Sequence, residues 1–120
     1  MTISEVSVKY DISIDTLRYY EKIGLIRDVK RKNGIRNYDA LNLRTIEFIL
    51  CMRKAGLSLE FLKEYMDLYA AGDETIVKRK ELLIKQREII INKISDLQSS
   101  LNLLNYKIDN YEKLAEEKGL

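Results

Sequence analysis

Asp15-Thr16-Leu17-Arg18-Tyr19-Tyr20-Glu21-Lys22-Ile23-Gly24-Leu25-Ile26 holds two cations and two phenols at helical spacing. Leu17, Tyr20 and Ile23 or Gly24 fall on one helical face, and Arg18, Tyr19 and Lys22 on the other. The second face offers a guanidinium, an ammonium and a phenol, all able to donate to phosphate or to a base edge. A helix anchored by a dry face and presenting such donors suits a DNA major groove. Thr16, in the first turn of the same helix, is counted with this set.

Arg18, Lys22, Arg27, Lys30, Arg31, Lys32 and Arg36 are opposed only by Glu21 and Asp28 within the same stretch. Such a patch is the electrostatic footprint of a polyanion partner, the alternative being a solvated charged loop. Asn33-Gly34 between two short flanks is a strong hairpin signal, and it places Arg31, Lys32 and Arg36 near the tip of a basic ribbon. A ribbon of this kind can follow the backbone or enter a minor groove.

Cys51 is the one reactive side chain. Its thiolate could add to an electrophile or exchange with a disulfide, favoured by Lys54 one turn on and by nearby Arg53, and opposed by Glu47. The alternative is a buried structural thiol between Phe48 and Ala55. With one Cys and no His, neither a tetrahedral zinc site nor a two-thiolate site can be built within one chain. No Gly-rich phosphate loop is present either, so the sequence argues against an enzyme and calls for no cofactor.

These groups need elements to hold them. The chain has 120 residues, 46% of them hydrophobic and 33% charged, and no proline, so uninterrupted helices are permitted. Thr2 caps a first helix from Ile3 to about Val8, with Glu5 as its capping-box partner. Ser13 caps the second, which Gly24 ends. Asp39 caps a third from Ala40 to Ala55 and Ser58 a fourth from Leu59 to Tyr69. Leu59, Leu62, Tyr65, Met66 and Tyr69 are expected to pack inward from the fourth. Ala70-Ala71-Gly72-Asp73 reads as a linker, dividing the chain into 1–71 and 72–120.

Beyond it, positions 76, 83, 90, 97, 104 and 111 are all apolar. Ile94, Leu101, Ile108 and Ala115 continue the repeat four residues on, while Lys80 and Arg87 interrupt it. The expected dimer seam is Leu83, Ile90, Ile94, Leu97, Leu101, Leu104, Ile108 and Tyr111, on a helix roughly 60 Å long at about 1.5 Å per residue. A stripe of that length exceeds what so small a domain can cover, so it asks for a second chain. Residues 1–57 carry a net charge of +4 and residues 58–120 one of −2, which keeps the basic surface in the first part. No apolar run approaches a membrane span, no signal peptide is visible at Met1–Glu5, and a single thiol fits a cytosolic chain.

The order helix-turn-helix, basic wing, helix pair and long helix resembles the MerR family of transcriptional regulators. The resemblance covers the whole chain. It is carried by Leu17–Ile26, by Gly34-Ile35-Arg36-Asn37-Tyr38 and by Arg53-Lys54-Ala55-Gly56-Leu57-Ser58-Leu59. It implies a mostly α fold, with a winged helix-turn-helix domain followed by an antiparallel coiled-coil helix. It also implies a homodimer that distorts double-stranded promoter DNA with an over-long spacer for RNA polymerase, in the bacterial cytosol. By position, Arg18 would reach bases or phosphate, and Tyr19 and Tyr20 match the family's paired tyrosines and are counted with the DNA-contacting set, Tyr19 being the better candidate for a phosphate contact. Arg36 matches the wing arginine, and Tyr38 would pack the wing or touch backbone. The segment around Cys51 resembles the single-cysteine branch that responds to aldehydes and other electrophiles, a stress response. Arg27-Asp28 stands where prolines often follow Gly-Leu-Ile, which puts the lead-in to the wing in question. The metal-sensing thiol clusters are absent, and no room follows Leu120 for a large drug-binding domain. A coiled-coil adaptor would leave the Arg18–Lys22 face unused, and a non-specific nucleoid protein would bind random DNA equally well.

Overall fold

The computed structural model describes residues 1–120. Four helices and a two-stranded wing precede a long helix: α1 (Ile3–Tyr10), α2 (Ile14–Lys22), β1 (Lys30–Lys32), β2 (Ile35–Asn37), α3 (Ala40–Lys54), α4 (Leu59–Ala71) and α5 (Ile76–Glu117), with a 3-10 turn at Asp73–Thr75 before α5.

Each early helix starts where a side-chain oxygen satisfies an orphan amide. At α1 the Thr2 hydroxyl accepts from the Glu5 amide at 3.2 Å, and the Glu5 carboxylate accepts from the Thr2 amide at 2.8 Å. Ser13 receives the Thr16 amide at 3.0 Å and Ser58 the Phe61 amide at 3.1 Å. Asp39 and Asn42 cap α3 reciprocally, at 2.8 and 2.9 Å. Asp11, in the left-handed region at φ 51°, closes α1 after Tyr10, so that helix runs past the expected Val8.

The wing strands pair antiparallel with Lys30 opposite Asn37, Arg31 opposite Arg36 and Lys32 opposite Ile35. Asn33 and Gly34 turn the hairpin at φ 53° and 77°. Two successive positive φ values define the tight turn whose twist matches that of paired strands, which is why Asn-Gly occupies it.

By packing, the chain divides into Met1–Leu82 and Leu83–Leu120. The first unit holds the core: Val6, Leu17, Leu25, Tyr38, Ile46, Ile49, Leu57 and Leu62 are almost wholly excluded from solvent. The sequence pattern changes earlier, at Gly72, yet the start of α5 packs with α4. Arg79 lies over the Tyr69 ring at 5.1 Å and donates to Thr75 Oγ1 at 3.0 Å, and Thr75 Oγ1 donates to the Leu68 carbonyl at 2.6 Å. The expected linker is thus largely ordered, with Ala70 and Ala71 completing α4. Tyr69 is half exposed rather than inward, because its ring serves as the platform for Arg79.

The second unit is one helical stretch with no buried side chain. Leu83, Ile94, Leu97, Leu101, Leu104, Ile108 and Tyr111 are exposed, and Ile90 is partly covered. No helix is long and apolar enough to cross a membrane.

Candidate nucleic-acid interface

The α2 helix separates its two faces as its spacing predicts. Leu17 and Tyr20 are buried, while Arg18, Tyr19 and Lys22 are exposed. The Arg18 side chain is 57% exposed and only grazes Asp15 at 4.0 Å, so its guanidinium is available. Thr16 is less free: its hydroxyl shares a 2.7 Å bond with Ser13 and its amide is taken by the same residue. It anchors the start of α2 rather than projecting from it.

Tyr20 does not belong to the presented set. Only 9% of its surface is accessible, since its position in the helix turns it to the core beside Leu17. Of the two roles expected of Tyr38, the structure supports packing of the wing and not contact with DNA. Tyr38 is 1% exposed, and its hydroxyl donates to Glu21 Oε1 at 2.5 Å. The ring packs the wing against α2 and cannot reach a DNA backbone. Burial raises the Tyr38 phenol well above its ordinary range, with the Glu21 hydrogen bond and charge acting in the same direction.

The wing arginines are not equally free. Arg36 sits opposite Arg31, one pair back from the turn as expected, but its Nε donates to Glu21 Oε2 at 3.0 Å. Directly opposed residues share a sheet face, so Arg31 and Arg36 point the same way. Arg31 stays exposed and steadies the turn by donating to the Gly34 carbonyl at 3.0 Å. Lys32 is exposed beside the turn. The exposed cations of the patch are therefore Arg18, Lys22, Lys30, Arg31 and Lys32, with Arg36 partly sheltered and Arg27 diverted.

Arg27, a cation of the same stretch, holds the scaffold instead. Its Nε donates to the Gly24 carbonyl at 2.7 Å, and its Nη2 pairs with Asp67 on α4, where Lys63 also binds at 3.1 Å. Asn42, the one buried polar residue, donates to the Arg27 carbonyl at 3.0 Å. The lead-in that proline fixes elsewhere is here held by a side chain, and Asp28 takes a left-handed φ of 56° beside it. Glu21, Asn42 and Asp67 escaped sequence reasoning because their partners lie far along the chain. The signal for Glu21 is its place as the one carboxylate at the C-terminal end of α2, among the cations of the basic patch.

Cys51 is exposed on α3, so the buried-thiol alternative does not hold within the chain. Arg53 is engaged with the Leu57 carbonyl at 2.8 Å, and Glu47 accepts from the Tyr10 hydroxyl at 2.8 Å. Lys54 is exposed one turn on. No group of His, Cys, Asp and Glu side chains gathers into a metal site.

This layout has counterparts among known proteins. The profile of the MerR HTH family regulatory proteins matches residues 1–68, and that of the MerR DNA-binding family matches residues 43–105. The HTH-type transcriptional regulator AdhR of Bacillus subtilis (strain 168) is 49% identical over 92 residues, spanning 76% of this chain and 66% of that protein. A MerR family transcriptional regulator from Listeria monocytogenes has a similar structure at TM-score 0.88 and 46% identity, covering 93% of this chain and 86% of its own. HiNmlR, a MerR family regulator lacking the sensor domain and solved bound to promoter DNA, gives a TM-score of 0.84 at 33% identity over 98% of this chain and 94% of its own.

Proposed function

The chain belongs to the MerR family of helix-turn-helix regulatory proteins, and from that premise we propose that it works as a homodimer whose paired α2 helices and wings grip one promoter. It is a DNA-binding transcriptional regulator and not an enzyme. The observation that carries the reading is the α2 surface: Arg18, Tyr19 and Lys22 exposed opposite buried Leu17 and Tyr20, with a basic wing alongside. Residues 1–71 bind DNA and residues 72–120 dimerise. One copy reads a half-site in the major groove, and the α5 seam from Leu83 to Tyr111, paired antiparallel, sets the second copy about one DNA turn away. Arg31, Lys32 and Arg36 clamp the flanking backbone. The dimer bends and untwists an over-long spacer so that RNA polymerase meets its two promoter elements in register, in the bacterial cytosol. Deformation of this kind costs a few kcal/mol, within reach of the phosphate contacts available.

Arg18→Ala tests the reading. It should abolish the specific gel shift while leaving the dimer and its helical content intact, and retained specific binding would move the reading surface elsewhere.

For the trigger, the exposure of Cys51 favours a thiol that reacts. Its thiolate would add to an aldehyde or other electrophilic carbon, the displaced π electrons taking a proton from water. The adduct would shift α3 against α4 and so the angle between wing and α5. Cys51→Ser should lose induction by formaldehyde or methylglyoxal in a reporter strain, and unchanged induction would leave a regulator without thiol sensing.

A further inference from the structure

The wing and the reading helix are joined by a single carboxylate. Glu21 leaves α2 with both oxygens engaged: Oε1 receives the Tyr38 hydroxyl at 2.5 Å and Oε2 receives Arg36 Nε at 3.0 Å. Both partners come from the wing or its exit. The clamp is sheltered, with the Arg36 and Glu21 side chains 26% and 20% exposed and Tyr38 1% exposed. Arg18 is close enough for its charge to act on the Tyr38 phenol.

The way Arg36 is held matters. A guanidinium has five N–H donors in a rigid fork. Gripping it at Nε fixes the plane and leaves both Nη nitrogens free to donate. Arg31, opposite Arg36 on the same sheet face, would repel it, and Glu21 offsets that repulsion as well. A carboxylate beside a DNA-binding surface should weaken binding by charge alone. Its presence there is explained if it sets the geometry of a contact worth more than the repulsion.

We propose that Glu21 is a positioning residue for DNA binding: it aims the Nη edge of Arg36 at a backbone phosphate and, through Tyr38, locks the wing to α2 as one rigid reader. The inference rests on the DNA-binding reading above. Glu21 itself does not touch DNA.

A double-mutant cycle tests it. The full chain first enriches a duplex from a random-sequence pool, and that duplex is the probe for Glu21→Ala, Arg36→Ala and the double variant, titrated over a range of salt. With Arg36 present, Glu21→Ala should weaken binding about tenfold although it removes a negative charge, a coupling of ordinary size for residues in direct contact. In the Arg36→Ala background the same change should cost nothing or improve binding. The slope of log affinity against log salt should fall by about 1 per protomer for either single variant, a readout that a purely structural role would not move. Equal losses in both backgrounds would make Glu21 a fold residue, and gains in both would make it a mere repulsive charge; either overturns the proposal. Should Glu21→Ala fail to fold, Glu21→Gln keeps an acceptor for one partner and must show the same cycle at reduced amplitude. A wild-type chain that enriches no duplex sinks the DNA-binding reading and this inference with it. Binding by the wild type with a flat cycle sinks the inference alone.

Discussion

Placing glutamate at Leu97 should break the dimer without unfolding the first unit. In one chain Leu97 is 69% exposed, and its seam neighbours Ile94, Leu101 and Leu104 are 61%, 49% and 61% exposed. Covering a leucine side chain is worth about 2 kcal/mol; scaled to the exposed share, each copy of Leu97 contributes roughly 1.5 kcal/mol on dimerisation. Two copies meet across a symmetric seam, so removing both costs roughly 3 kcal/mol. A carboxylate buried at each position adds about 1–2 kcal/mol more per copy in desolvation. The sum is roughly 5–7 kcal/mol, a weakening of the dimer constant by about three to five orders of magnitude. Sedimentation equilibrium reads this directly. Leu97→Glu should run at monomer mass where the wild type runs at dimer mass, and Ser99→Glu, two residues away and off the seam, should stay dimeric. A Leu97→Glu chain that remains dimeric, with unchanged affinity, would refute the seam argument.

Two further outcomes follow from the wing. The Tyr38 phenol is held neutral by burial and by its bond to Glu21, so its folded pKa lies above the unfolded one. The stability it contributes is complete below about pH 10 and is lost as pH rises beyond that. A phenolate absorbance titration should show a late step from a phenol that stays protonated until the chain unfolds, and Tyr38→Phe should remove that step; a variant that keeps it would contradict the assignment. Gly34→Ala should cost about 1 kcal/mol, because the turn needs φ 77° and the space beside it is open, leaving only the backbone penalty. Thermal unfolding measures the cost, and no change would mean the turn tolerates another geometry.

What the sequence revealed was local. Thr2, Ser13, Asp39 and Ser58 cap helices from within three residues, and Asn33-Gly34 turns a hairpin from within two, so each was legible in a short window. The apolar stripe of α5 was legible because a heptad repeats over many turns, and the structure leaves it largely exposed. The residues that set the wing were not. Glu21 meets Arg36 and Tyr38 across separations of 15 and 17 residues, and Arg27 meets Asp67 across 40. A count of cations cannot tell a side chain that faces solvent from one that ties two elements together. Arg27 and Arg36 therefore looked like Arg31 and Lys32 until tertiary packing separated them. Tyr20 shows the reverse case: its helical spacing placed it in the core, and the resemblance to paired tyrosines drew it wrongly to the surface. For Cys51 spacing favoured burial, whereas the packing of α3 leaves the thiol open to solvent.

The most direct test of a distorting regulator is transcription from its own promoter with the spacer between polymerase elements shortened to the ordinary length. On the native spacer, purified polymerase should need the protein, and Arg18→Ala should not replace it. On the shortened spacer, polymerase should start without the protein, because no distortion is needed, and added protein should give no activation or should repress. Continued dependence on the protein at the shortened spacer would contradict the account, since activation would then come from contact with polymerase and not from reshaping the DNA.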